Sequence, residues 1–297
     1  MAIVNEVKFY NPILDEEVTF NRDSKQFNLE VLDLGYVDSN MKTQDLYNKD
    51  GVSVSNVKYG TRTITMVAWL IGYDDRAISV LRRRINRFFN PKHLIEIYQN
   101  GYLIRGYPLH TPMYGNTLLE INDKMCQVLI EFYCNEPLFT TEESKTVIIA
   151  SWDPQFIFPL EFPYPNETMI FGLRRPSFIV EIDQEGDEPC GMMITFIANG
   201  VVSLPRITNI ETQEFIELNI TLQQGQRAVV NTAGMITKAT LFYPDETTEN
   251  ILNAITDVSS QAMKLPIGKS SFTYSAGSHV ENLSLLIGYD PLFLEVL

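Results

Sequence analysis

Residues 56–92 read NVKYGTRTITMVAWLIGYDDRAISVLRRRINRFFNPK, and the change of period inside this stretch decides the fold. Over 57–70, Ile64, Met66, Ala68 and Leu70 recur every second residue, with Arg62, Thr63 and Thr65 around them, the signature of a half-buried strand. After Gly72 the period lengthens. Ile78, Leu81, Ile85 and Phe88 now share one face of a helix. Asp74 or Asp75 can accept the free N–H groups at its start, and Asn90-Pro91 stops its end. Burying four such side chains, at about 1.5–3 kcal/mol each, holds the helix against a sheet. Arg82, Arg83, Arg84 and Arg87 occupy the remaining faces.

Upstream, residues 4–10, 18–20 and 27–34 read as short strands, and 38–51 as a polar loop. Downstream, HLIEIYQ and YLIRGYPLH flank Asn100-Gly101, the dipeptide best suited to a type I′ turn, so 93–110 is a β-hairpin. Residues 113–123 form a loop or protruding arm, and 125–133 another strand. Over 140–175 the prolines Pro154, Pro159, Pro163 and Pro165 interrupt a run carrying Trp152, Phe156, Phe158, Phe162 and Tyr164. Neither a helix nor a central strand survives that spacing. From 176 onward, eight short strands separated by turn residues predict a β-sandwich, with one short helix over 248–259 carrying Ile251, Leu252, Ile255 and Val258.

A chain of 297 residues with 45% hydrophobic side chains accommodates two ordinary domains. The expected division is 1–140, a Pro- and aromatic-rich connector over 141–175, and 176–297. Charge is uneven. Residues 1–150 carry 16 basic against 19 acidic side chains, and residues 151–297 carry 7 against 18. That field disfavours sequence-specific nucleic-acid reading and anionic membranes as partners. Cys126, Cys134 and Cys190 do not make a disulfide framework, since the first two lie on one strand about 27 Å apart. No run approaches a membrane span, and MAIVNEVKFY lacks the regions of a signal peptide, so a soluble, unexported chain is expected.

Catalytic motifs are missing: no phosphate loop, HExxH, GxSxG or CxxC occurs. His93, His110 and His279 have no partner legible in sequence. Asp183, Glu185, Asp187 and Glu188 have alternate-carboxylate spacing, but without the glycine and terminal acid of a calcium loop they read as a solvated turn. No catalytic residue, cofactor or metal is expected. The helix arginines face solvent, a partner subunit or a nucleic acid. A hairpin edge that projects from a sheet can add to a neighbour's sheet. The subunit-interface candidates are accordingly Arg62, Arg83, Arg87, Asn100, Gly101 and Tyr102.

The order of motifs is informative beyond each motif. GTRTITMVAWLIG, RRINRFFNPK, LIEIYQNGYLIRGYP and IEFYCNEPLF, followed by FIFPLEFP, PRITNIETQEFIELNITLQQGQRAVVNT and KLPIGKSSFTYSAGSHVENLSLLIGYDP, resemble the distal tail protein family of siphophages over nearly the whole chain. Departures lie at Gly268-Lys269, at 244–263 and in the final PLFLEVL. The resemblance implies a mainly β fold of two domains. The first is a β-sandwich or split-barrel-like domain with one α-helix and a projecting β-hairpin, and the second is a galectin-like β-sandwich.

It also implies a non-enzymatic hub at the distal end of the virion tail, assembled in the host cytoplasm. The first domain closes a homohexameric ring between the major tail tube protein and the tail-tip protein. The second faces outward, where in some members receptor-binding proteins dock or a host cell-wall saccharide is bound. The competing reading is a carbohydrate-binding adhesion module acting through the second domain. A cell-wall hydrolase is the third, with no readable acid–base pair to support it.

Overall fold

The computed structural model describes residues 5–47, 50–115, 124–148, 151–154, 172–175, 179–234 and 236–296. The chain divides into two compact units, Met1–Glu142 with Phe293–Leu297, and Glu143–Leu292. The second is inserted into the first. This differs from the expected three-part division. The last five residues return to the first unit, and Lys145–Ile148, placed in the connector by sequence, is a strand of the second unit's sheet. Within the connector, Ser151–Pro154 pairs with Gly172–Arg175 as a two-stranded element. Phe156, Phe158, Phe162 and Tyr164 lie outside the described residues, as do positions 116–123 of the expected arm.

The first unit is built from β1 (Glu6–Asn11), β2 (Glu16–Asn21), β3 (Phe27–Asp33), β4 (Ser39–Asp45), β5 (Val52–Tyr59), β6 (Arg62–Ile71), α1 (Asp75–Phe88), β7 (Ile95–Gln99), β8 (Tyr102–Pro108), β9 (Met113–Tyr114), β10 (Met125–Cys134) and β11 (Phe139–Thr141). Its main sheet runs β11-β8-β7-β1-β2-β3-β6-β10-β9, and β8 pairs with β10 as well. Seven strands therefore close into a barrel. Closure satisfies the edges that an open sheet leaves unpaired. Ile64, Met66, Ala68 and Leu70 of β6 are buried as their alternation predicts, opposite Phe132, Ile130, Val128 and Cys126 of β10.

Helix α1 covers the barrel with Ile78, Leu81, Ile85 and Phe88, all buried. Asp74 is its cap, accepting the Ala77 N–H at 2.7 Å, and Asp75 occupies the first turn. At the other end the buried Asn11 amide donates to the Phe88 carbonyl at 2.7 Å and lies 2.9 Å from His93 Nδ1, which ties the end of β1 to the end of the helix. Phe9 sits at the centre of the core, stacked on Phe132 at 5.4 Å and edge-on to Phe20 and Phe89 at 5.8 and 5.2 Å. Such ring pairs contribute about 0.5–1.5 kcal/mol each beyond their burial.

Two sequence expectations fail in this unit. The strand read over 57–70 breaks at Gly60, whose N–H donates to the Asp38 carbonyl, so 57–59 belong to β5 and not to β6. The stretch read as loop over 38–51 instead contains β4, which pairs with β5 along its whole length.

In the second unit a six-stranded sheet runs Lys145–Ile148, Leu283–Tyr289, Met192–Ala198, Arg227–Asn231, Lys238–Phe242, Thr248–Asn250. A four-stranded sheet runs Ile179–Gln184, Gly268–Ser275, Arg206–Asn209, Phe215–Glu217. Ile194, Phe196, Leu285 and Ile287 from the first share one core with Ile182, Ile207, Ile216 and Phe272 from the second, the arrangement of a sandwich. The α-helix expected over 248–259 is replaced by a strand, Thr248–Asn250, and a single 3-10 turn, Leu252–Ala254. Ile251 and Ile255 are buried but Val258 is exposed, so the apolar spacing serves one anchored turn and no continuous face.

Candidate assembly surfaces

The β4–β5 hairpin is the feature that the barrel does not consume. Every residue of both strands is exposed. Met41 stands opposite Val57, and Val52, Val54 and Tyr59 are exposed on β5. At the tip Leu46 is exposed and Tyr47 is 92% exposed. A lone two-stranded hairpin is marginal in water, and a contiguous apolar patch of this kind marks an interaction surface. The projecting hairpin is thus β4–β5, whereas β7–β8 lies inside the sheet with neighbours on both sides.

The Asn100-Gly101 turn has the φ angles of a type I′ turn, +50° and +82°, and closes Gln99 onto Tyr102. Asn100 and Gly101 are exposed at one end of the barrel wall. The adjacent Gln99 is buried, and its Oε1 has no hydrogen-bond partner among the described residues. It lines a polar hollow with Glu6, Lys8, Tyr98, Asn100 and Glu142. Tyr98 donates to Glu96 at 2.6 Å, and Arg105 bonds the same carboxylate at 2.8 Å. Burial and the Glu96 partner push the Tyr98 phenol upward. Tyr102 is half-buried against Phe293, ring centroids 5.2 Å apart.

The helix arginines separate by face. Arg82 lies over the Tyr114 ring at 4.2 Å and Arg84 over Phe27 at 5.7 Å. Arg87 is exposed, 3.5 Å from Glu16, and Arg83 is exposed with no ion pair among the described residues. Near the helix start, Tyr73 and Val80 are exposed beside Arg76 in a shallow groove.

Arg62 is a correction to the interface set. It is only 2% exposed, lies over the Phe139 ring at 4.5 Å, and donates to the Leu34 carbonyl at 3.4 Å and to the Leu294 carbonyl. It stands two residues before Ile64, in register with the buried face of β6. The alternation of β6 turns it inward, and the carbonyls of Leu34 and of Leu294 in the returning tail accept its N–H groups there.

The histidines form no cluster. His110 Nε2 is 2.8 Å from Glu131, His279 Nδ1 is 3.2 Å from Glu281, and His93 meets Asn11. Among the described residues no group of His, Cys, Asp and Glu could hold a metal ion, and no helix is long and apolar enough to cross a membrane. In the acidic turn, buried Gln184 donates to the Glu188 carbonyl and accepts from Gly186 N–H, both at 2.7 Å. All three cysteines are free and buried.

A second hollow, of about 290 Å³, lies on the six-stranded sheet of the second unit, lined in part by Thr146, Met193, Asn231, Gly288 and Asp290. No aromatic side chain stands among the exposed large hydrophobics described in that unit. The exposed-aromatic mode of sugar stacking therefore has no support among the described residues.

Barrel, hairpin and sandwich define a two-unit β protein whose unconsumed features are surfaces. Residues 10–135 match the model of the phage tail protein RIFT-related domain. The chain is similar in structure to the SPP1 Dit protein, described as a paradigm of the hub adsorption apparatus in phages infecting Gram-positive bacteria. That likeness has a TM-score of 0.68 at 10% identity, over 97% of this chain and 99% of that one. It is similar also to a chain of the phage P2 baseplate in its activated conformation with calcium, TM-score 0.54 at 10% identity, over 97% and 98% of the two chains. The corresponding strontium structure gives a TM-score of 0.52, again at 10% identity over 97% and 98%. A comparison with curated protein sequences gave no match. Residues 10–135 thus carry a phage-tail type of domain, and the fold shared with the solved chains runs over both units. Domain match and fold together support the resemblance to the distal tail proteins of siphophages.

Proposed function

We propose that this chain is a non-enzymatic hub that closes a homohexameric ring at the distal end of a phage tail. The observation that carries the reading is the β4–β5 hairpin, which presents Met41, Val52, Val54, Val57 and Tyr59 to solvent on a barrel whose own edges are largely closed. Inserting the hairpin against a neighbouring copy covers that apolar surface, and repeating the contact around an axis gives a closed ring. Arg83, Arg87, Asn100 and Gly101 sit on the same unit and are the polar contacts proposed for the ring or its two faces. Tyr102, engaged with Phe293, supports the turn from within.

In this reading the ring joins the tail tube protein to the tail-tip protein within the virion, after assembly in the host cytoplasm, and the second, galectin-like unit serves receptor-binding partners. Negative-stain images of the purified protein test it: a six-fold annulus is expected. A monomer at micromolar concentration that stays monomeric on mixing with tail proteins overturns it.

A second reading, adhesion to host saccharide through the second unit, is favoured by the hollow on the six-stranded sheet, whose lining mixes Met193 and Leu286 with Thr146, Thr195 and Asn231. A glycan array with the full chain tests it, and a blank array removes it.

A further inference from the structure

The projecting hairpin has two unlike faces, and a bulge keeps them apart. Along β4, Ser39, Met41, Thr43 and Asp45 point to one side. Their partners on β5 are Tyr59, Val57, Val54 and Val52, so the apolar residues of β5 all share that side although Val54 and Val57 are three positions apart. The odd step is absorbed at Ser55, which has no partner on β4 and whose hydroxyl donates to the Lys42 carbonyl at 3.0 Å. The reverse side carries Asn40, Lys42, Gln44, Ser53, Asn56 and Lys58, all polar and none a carboxylate.

A surface of matching character stands on the outside of the barrel. Val31, Val67, Leu129 and Met113 form one row across β3, β6, β10 and β9. The row faces away from the core, since Met66, Ala68, Val128 and Ile130 alternate with it and are fully buried while Val31 and Met113 are exposed. Trp69, half-buried, extends it along β6. The solvent face of an antiparallel sheet ordinarily carries polar side chains, so an unbroken apolar row there marks a contact. Its borders are acidic. Glu30 lies beside Val31, and Asp33 and Glu131 flank Thr65 in the next row of the same face. Those carboxylates are opposite in sign to the lysines of the hairpin.

The hairpin covers none of this row in its own chain, because every residue of β4 and β5 is exposed. The two apolar surfaces are therefore separate patches of one unit. A contact between separate patches repeats from copy to copy, whereas two hairpins laid face to face would stop at a pair and leave the row bare. We infer that the apolar face of β4–β5 packs on the Val31–Val67–Leu129–Met113 row of a second copy of this chain, with Lys42 and Lys58 reaching round to its acidic borders. The inference rests on the ring reading and assigns the surface that receives the hairpin.

Photo-cross-linking of the full-length protein tests this. A benzoylphenylalanine placed at position 57 of an isotopically light chain, mixed with heavy chain before irradiation, should attach to heavy peptides of β3, β6, β9 or β10. Attachment to a heavy β4 or β5, to any other surface, or to its own chain alone overturns the assignment. In mass photometry the double variant Val31→Lys with Met113→Lys should convert rings to monomers at an unchanged thermal midpoint. Ser53→Lys and Asn56→Lys, which add the same charge to the reverse side of the hairpin, should leave rings intact. Rings that persist in the double variant overturn the receiving surface and leave the ring reading standing. Rings lost in Ser53→Lys and Asn56→Lys overturn the division of the hairpin into two faces. A parent chain that stays monomeric, alone and with tail proteins, overturns the ring reading and this inference with it.

Discussion

The guanidinium of Arg62 donates to the backbone carbonyl of Leu294, 232 positions further along the chain. Phe293 packs on Tyr102 and Val296 is buried in the barrel core, so the tail is held at three points. Arg62→Met leaves the Leu34 and Leu294 carbonyls without a cationic donor and is expected to cost about 1–3 kcal/mol in urea unfolding. The same substitution in a chain lacking residues 293–297 should cost measurably less, because the two changes remove one shared interaction. Equal costs in both backgrounds would separate Arg62 from the tail.

The helix offers a cleaner stability test. Asp74→Ala removes the side-chain acceptor of the Ala77 N–H, at about 1 kcal/mol. Ile85→Ala, at a fully buried position against the barrel, should cost about 2–5 kcal/mol. Denaturant midpoints should rank Ile85→Ala below Asp74→Ala, and the reverse order would mean that the helix does not seal the core.

What was legible in the sequence is what burial writes into period. Ile64, Met66, Ala68 and Leu70, and Ile78, Leu81, Ile85 and Phe88, each face one core, so their spacing sufficed. The β4–β5 hairpin buries no side chain in this chain: Val52 and Val54 alternate with serines on β5, but β4, SNMKTQD, carries Met41 alone among polar residues and so reads as a polar loop. The hollow at Gly288 depends on four strands brought into register from distant segments. Arg62 shares the parity of Ile64, Met66, Ala68 and Leu70, so its inward direction was legible; its acceptor Leu294 was not, because no local signal reports so remote a partner.

Burial by apolar neighbours pushes the Cys134 thiol up to about 12 from its ordinary 9.0, and raises Cys126 and Cys190 for the same reason. The folded state therefore holds these protons after an unfolded chain has lost them. The associated stability is complete below about pH 9, the ordinary thiol value. It declines as pH rises toward 12, because the unfolded state then binds fewer protons. Urea midpoints measured between pH 8 and pH 11 should fall, and fall less in Cys134→Ala once its pH-independent cavity cost is subtracted. A thiol reagent at pH 8 should label the native protein slowly and the urea-unfolded protein at once. Rapid native labelling would contradict the buried positions.

The ring reading makes a demand on the hairpin that ordinary stability does not. Val54 and Val57 are exposed in this chain, so Val54→Lys and Val57→Glu should each shift unfolding by less than about 0.5 kcal/mol. If β4–β5 packs on a neighbouring copy, the same changes place charges in a desolvated contact and should convert rings to monomers in mass photometry. The sign of the charge should not matter, which distinguishes lost apolar burial from a mismatched ion pair. Rings that persist in both variants would move the subunit contact away from the hairpin, and Arg83, Arg87 and the Asn100-Gly101 turn would then be the surfaces to substitute.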